Sequence, residues 1–189
     1  IVDEKLLIKN LEVLKRVKEE SGCKILLAQK AFSMFYTYPL IKQYLDGSVA
    51  SGLFEARLGY EEMGKEVHCF CVAYKDEEFD EVLKISDHIT FNSFNQWKKF
   101  KDKAMKTNKS FGLRINPEHS TQTHGIYDPC FSGSRLGIVH KHFENESLVG
   151  IEGLHFHTLC QQNSDALIET LKVVEEKFGD IISKVKWVN

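Results

Sequence analysis

No run of apolar residues in this chain approaches the roughly 20 needed to cross a bilayer, and the opening Ile1-Val2-Asp3-Glu4-Lys5 lacks the basic and apolar regions of a signal peptide. Both absences predict a cytoplasmic protein with no membrane partner. Charge of one sign is missing too: the formal net charge is −2 across 189 residues, which gives no electrostatic case for binding a nucleic acid. The five cysteines (Cys23, Cys69, Cys71, Cys130 and Cys160) are odd in number and form no C-x-x-C pair. That pattern argues against a disulfide framework and against a structural zinc knot, and it predicts thiols that are reduced and mostly buried. The chain also lacks a G-x-G-x-x-G turn, the fingerprint of a doubly wound dinucleotide-binding sheet.

What is present is the composition of an ordinary soluble globular protein, 42 % hydrophobic and 28 % charged, long enough for one domain with a substantial core or for part of a larger one. Leu6, Leu7, Leu11, Leu14 and Val17 recur at helical spacing over residues 3 to 21, and Ser21-Gly22 supplies the stop. The apolar run from Lys24 to Ala28 then reads as a buried parallel strand delivering Lys30 at its end. Helices are expected over residues 36–45, 53–63, 77–86, 94–105 and 164–178. Short strands begin near residues 24, 48, 66, 88, 110, 153 and 185, seven in all. Residues 116–133, with Pro117, Pro129 and Gly125, form a polar segment too long for an ordinary connection, hence a functional loop. Regular strand–helix alternation without the glycine fingerprint favours a (β/α)8 barrel of the TIM type over an open sheet. Seven strands leave such a barrel incomplete. Its eighth strand is expected beyond Asn189, and the whole of residues 1–189 is read as one partial barrel domain of a longer protein.

In a barrel, groups at the C-terminal ends of strands face one mouth, so Lys30, Arg114 and His157 are expected to converge, with Glu55 just past the second strand joining them. Each has a bland alternative. Lys30 and Arg114 suit strand ends surfacing into solvent, and Glu55 suits a solvated helix carboxylate. The sharper reading makes Lys30 an imine-forming amine, activated by partial desolvation, and gives the group as a whole the binding of an anionic cofactor. His155-x-His157 has the period of a strand face, so both imidazoles are expected on one side. With Glu55 or Cys160 they would make a metal site of the hydrolase type, a reading that leaves Lys30 unexplained; no metal is expected.

The segments Leu26-Leu27-Ala28-Gln29-Lys30-Ala31-Phe32, Ser51-Gly52-Leu53-Phe54-Glu55-Ala56, Leu113-Arg114-Ile115-Asn116-Pro117-Glu118, Tyr127-Asp128-Pro129-Cys130, Ser134-Arg135-Leu136-Gly137-Ile138, Gly153 to Cys160 and Lys186-Trp187-Val188-Asn189 together carry a resemblance. In order and spacing the chain resembles the fold-type III pyridoxal-phosphate enzymes, which have an alanine racemase-like barrel, and within them the carboxynorspermidine (carboxyspermidine) decarboxylases. The resemblance implies pyridoxal 5'-phosphate as cofactor, held by Lys30 through an imine. It implies His157 stacked on the pyridine ring, with Glu55 and Arg114 lining the pocket. Cys160 stands where the ornithine enzymes carry a phosphate-contacting serine, so a side-chain contact there is in doubt. The implied reaction is loss of carbon dioxide from carboxynorspermidine or carboxyspermidine, giving norspermidine or spermidine, in a homodimer whose C-terminal β domain lies outside these residues. A substrate with several ammonium groups is expected to meet acidic residues, Glu118 in the long loop among them. Rival readings are diaminopimelate as substrate, a non-catalytic barrel that only carries the cofactor, and the metal-dependent hydrolase.

Overall fold

The computed structural model describes residues Ile1–Asn189, which divide into two units, Ile1–His88 and Ile89–Asn189. In the first unit, helix α1 (Glu4–Ser21) starts where the Asp3 carboxylate accepts the N–H groups of Lys5 and Leu6. It stops at Gly22, whose φ of 71° lets its N–H reach the Lys18 carbonyl. Strands β1 (Leu26–Ala28), β2 (Gly47–Ala50) and β3 (Glu66–Phe70) then lie parallel in chain order, with Leu26 opposite Gly47 and Gly47 opposite Glu66. Between them run α2 (Tyr38–Ile41) and α3 (Leu53–Leu58), while α4 (Asp76–Ile85) follows β3. Leu11, Tyr38, Ile41, Leu45 and Met63 are the buried centre of this unit, packed by Leu7, Ile25, Leu27 and Leu58.

An aspartate before β2 and another before β4 repeat one device. The Oδ2 of Asp46 accepts from Ile25 N–H at 2.9 Å, and the Oδ2 of Asp87 accepts from Val67 N–H at 2.9 Å. Each therefore ties the entry of its own strand to that of the strand before it. Burial opposes ionisation of Asp46, but the Ile25 hydrogen bond and the Lys18 ammonium at 3.0 Å outweigh it and lower the pKa.

In the second unit, β4 (His88–Phe91, its first residue counted with the first unit), β5 (Ser110–Arg114), β6 (Gly153–His155) and β7 (Trp187–Val188) follow in order, with β5, β6 and β7 paired in parallel. Helix α5 (Phe94–Ala104) is capped by the Ser93 hydroxyl accepting from Gln96 N–H at 3.2 Å. Its Trp97 and Phe100 form an aromatic cluster with Phe91 and Phe111 at centroid distances of 5.2 to 6.4 Å, stacked for Phe91 and Phe100 and tilted for the rest. Helix α6 (Ser164–Ile182) buries Thr170, Val174, Phe178 and Ile181, one stripe at spacings of four, four and three. The Trp187 indole occupies a slot above Gly112 and Gly153 and donates from Nε1 to the Ser110 hydroxyl at 2.8 Å.

The expected alternation is observed, with local differences. The helix expected over 36–45 is a 3₁₀ turn at Phe35–Thr37, then a single α-helical turn and further turns. The helix expected over 53–63 becomes a π-helix at Gly59–Met63, where the N–H of Gly64 reaches the Gly59 carbonyl at 3.2 Å. The polar loop continues past residue 133 to residue 152, interrupted by short 3₁₀ turns and by Ile138, which bridges to Ile115. The thiols are all free but mostly not buried: Cys69 is buried, Cys71 and Cys130 are half-buried, and Cys23 and Cys160 are exposed. Only Cys69 points into a strand's covered face, and the others sit in turns and loops.

Candidate functional site

Lys30 follows the C-terminal end of β1, inside a turn closed by Ala31 N–H and Phe32 N–H on the Ala28 carbonyl. The turn places its amine at the strand end that the sequence indicates, but exposed, so residues of this chain do not supply the expected desolvation. The residue before it carries the local architecture. Gln29 is 1 % exposed; its Nε2 donates to the Glu55 carbonyl at 2.8 Å and its Oε1 accepts the Tyr38 hydroxyl at 3.2 Å. One buried amide thus pins the Lys30 turn to the helix that carries Glu55. Gln29→Leu leaves the Tyr38 hydroxyl and the Glu55 carbonyl without that partner and is expected to cost about 1–3 kcal/mol in chemical denaturation.

Glu55 stands in the first turn of α3, where its Oε2 accepts from Ser51 N–H at 2.7 Å. The carboxylate is therefore held beside the C-terminal end of β2. Burial and then the charge of Glu55 raise the pKa of Tyr38, which keeps that phenol protonated as the donor to Gln29.

In the second unit, Arg114 ends β5 with 5 % exposure, and its Nη2 donates to the His157 carbonyl at 3.4 Å. Burial lowers its pKa. His157 itself lies two residues beyond β6 and is exposed, so it is out of the strand that holds His155. The period-two expectation for the pair is thus not met by the strand. The Nδ1 of His155 is instead 2.6 Å from Asn189 Oδ1. Cys160 is exposed, and its carbonyl accepts from Gln122 Nε2 at 3.1 Å, while Gln162 and Thr121 join by two further hydrogen bonds. The long loop is docked on the segment after β6 by these contacts. Burial pushes the half-buried Cys130 thiol, also beside Asp128, up to about 11, so it is neutral at pH 7. Glu118 is exposed with φ 53°, its N–H donating to Asn116 Oδ1 at 2.8 Å.

Two features carry chemistry that the sequence reading passed over. Thr158, 2 % exposed and next to His157, has an Oγ1 with no hydrogen-bond partner in the chain. Glu66, His68 and His88 form a cluster with metal-ligating atoms, whereas the expected metal alternative drew on His155, His157, Glu55 and Cys160. The E-x-H spacing on a strand was the available signal; His88 joins only through the topology.

Each group is of a kind that an anionic aldehyde cofactor uses. In the first unit an accessible primary amine follows a strand end; in the second a buried guanidinium ends a strand, and next to the imidazole lies a buried hydroxyl with no hydrogen-bond partner in the chain.

No family model matches the chain. It is 47 % identical over 189 residues, its full length, to a carboxynorspermidine/carboxyspermidine decarboxylase of Campylobacter jejuni, and 37 % identical over the same span to a carboxyaminopropylagmatine decarboxylase of Synechocystis. The chain spans about half the length of these curated relatives, 49 % of each. Among solved structures it is similar to carboxynorspermidine decarboxylase from Campylobacter jejuni complexed with norspermidine, with a TM-score of 0.88 and 45 % identity. That match covers 98 % of this chain and 47 % of the other. A diaminopimelate decarboxylase from Helicobacter pylori complexed with L-lysine is 18 % identical at TM-score 0.71, covering 92 % of this chain and 50 % of the other, and shares the fold alone. The fold class is therefore α/β, that of the barrel half of the fold-type III decarboxylases. The resemblance carried by the sequence motifs is borne out along the entire chain.

Proposed function

We propose that this chain is part of a pyridoxal-phosphate-dependent decarboxylase acting on a carboxylated polyamine, carboxynorspermidine or carboxyspermidine, and releasing norspermidine or spermidine. The observation that carries the reading is 47 % identity along the full chain to a relative of that name, supported by Lys30 two residues past the C-terminal end of β1. The 18 % likeness to a diaminopimelate decarboxylase gives that substrate no comparable support.

In this reading Lys30 is the residue that holds the cofactor. The chemistry supplied by pyridoxal phosphate, when bound, is an electron sink that lets a carboxylate leave as carbon dioxide. Gln29 fixes the turn from which the Lys30 amine projects, and Glu55, held by Ser51 N–H, places negative charge at the neighbouring strand end. Arg114 binds the carbonyl of His157 and so orients the segment bearing that imidazole, the proposed lid over the cofactor ring. Thr158, buried with no hydrogen-bond partner in the chain for its Oγ1, would donate that hydroxyl to a cofactor oxygen, a role that Cys160, exposed and without a serine's donor strength, would not fill. Glu118 offers a carboxylate to the ammonium groups of a polyamine. Assembly as a cytoplasmic homodimer belongs to the same proposal; no helix is long and apolar enough to cross a membrane.

The test is carbon dioxide release by the full-length protein supplied with pyridoxal phosphate. Carboxynorspermidine or carboxyspermidine is expected to be decarboxylated at a kcat/KM at least about 100-fold above that for diaminopimelate, the scale on which the shape of a pocket alone discriminates between substrates. Lysine formed faster from diaminopimelate, or cofactor bound with no carbon dioxide released from any of these acids, would overturn it.

A further inference from the structure

The parallel register sets the first residues of β1, β2 and β3 in one row, at the opposite end of the strands from Lys30. At that end Glu66 and His68 on β3 and His88 at the start of β4 each present one metal-ligating atom, all within 4.8 Å of one another. We propose that Glu66, His68 and His88 form a binding site for a divalent d-block cation of the zinc type. The site lies at the other end of the strands from the cofactor amine and does not depend on the cofactor assignment.

Two imidazoles and a carboxylate are a donor set suited to zinc, with a further position left for water. Glu66 and His68 are two apart on a strand, so their side chains share one face of β3. The imidazoles of His68 and His88 are stacked, with centroids 4.0 Å apart and planes at 16°, so both rings present their nitrogens side by side. Glu66 Oε2 already lies 3.1 Å from His68 Nε2, a separation close to the roughly 3.3 Å that two tetrahedral ligands at about 2.0 Å from one ion require. Small side-chain rotations close the rest, and Glu66, at 32 % side-chain exposure, has room for them.

The same carboxylate now pairs through Oε1 with the Lys24 ammonium, whose side chain is 60 % exposed, and Asp87 adds negative charge nearby. Lys24 thus sits where a cation is wanted, as a tethered and weakly held competitor. An incoming ion takes the place of that ammonium and of the hydrogen bond between Glu66 and His68.

The probe is Co²⁺ added to the chelator-treated, cofactor-loaded full-length protein, read by its visible d–d absorption and by competition with Zn²⁺. Bands of a nitrogen and oxygen site are expected, displaced by Zn²⁺. His68→Gln and His88→Gln are expected to weaken Co²⁺ binding by more than about 100-fold, the upper end of what losing even an outer partner costs. Lys24→Met keeps all three ligands and is expected to strengthen binding several-fold, roughly the worth of one partly exposed ion pair. That result decides the matter even if a histidine variant does not fold, since a purely structural cluster gains nothing from losing its lysine. Absence of bands, bands with thiolate charge transfer that survive both histidine substitutions, or an unchanged affinity in Lys24→Met would overturn the proposal.

Discussion

Lys30→Ala in the full-length protein is expected to lower carboxypolyamine decarboxylation by more than about 10³-fold, the scale seen when a covalent group that acts as part of a unit is removed. The fold should not suffer. Lys30 is exposed in a turn held by backbone hydrogen bonds and by the Gln29 amide rather than by its own side chain, so circular dichroism and the unfolding midpoint are expected to match the parent. The visible absorption of the bound cofactor should disappear with activity. Retained activity in a folded Lys30→Ala protein would remove Lys30 from the chemistry, and loss of fold would show that its role is structural.

Gly153→Ala should have the largest effect on stability of any single methyl added to the second unit. A Cβ there would stand 2.0 Å from two atoms of the Trp187 ring, and one on Gly112 would stand 2.4 Å from the same indole. The two glycines are the floor on which Trp187 lies, and the indole is anchored along the same face of β5 by the Ser110 hydroxyl at 2.8 Å. It cannot retreat without breaking that hydrogen bond or pulling β7 from β6, where Gly153 pairs with Trp187. Overpacking of this kind costs typically about 1–3 kcal/mol, and the lost hydrogen bond adds about 1 kcal/mol. Equilibrium denaturation should show the sum, with tryptophan fluorescence shifted toward that of a solvated indole. An unchanged midpoint would mean that Trp187 has another place to go.

Most of the fold could be read from the residues because each strand is a short apolar run beside a helix with its own start and stop. Asp3 and Gly22 bound α1 as capping chemistry dictates, and His88–Phe91 is a strand over the residues its pattern indicates. The errors arise where local pattern yields to tertiary contacts. Residues 36–45 have helical spacing and bury Tyr38, Ile41 and Leu45 on one face, yet only one regular α-helical turn forms, between a 3₁₀ turn and further turns, with Tyr38 bonded to Gln29. The π-helix at Gly59–Met63 has no sequence period of its own, and Gly59 is held against Ser48, whose Oγ would be 2.2 Å from an added Cβ.

The site was legible in part for the same reason. Lys30, Glu55 and Arg114 follow or end strands, and strand ends are where apolar runs give way to charge. Gln29 was invisible as a site residue, since nothing in a sequence says that an amide will be 1 % exposed and bridge two elements. His157 is expected within a strand by β propensity, but the regular strand ends at His155; Phe156 N–H still donates to the Asn189 carbonyl at 2.9 Å, and His157 lies past that bond. The grouping of Glu66 and His68 with His88 depends on which strand follows which, information that spacing along the chain does not contain.

The measurement that bears most directly on the central claim is the location of the cofactor. Borohydride reduction of the cofactor-loaded full-length protein, followed by proteolysis and mass spectrometry, is expected to leave a pyridoxyl phosphate adduct on the peptide containing Lys30 and on no other lysine peptide. An adduct on a different lysine, or none at all, would contradict the account.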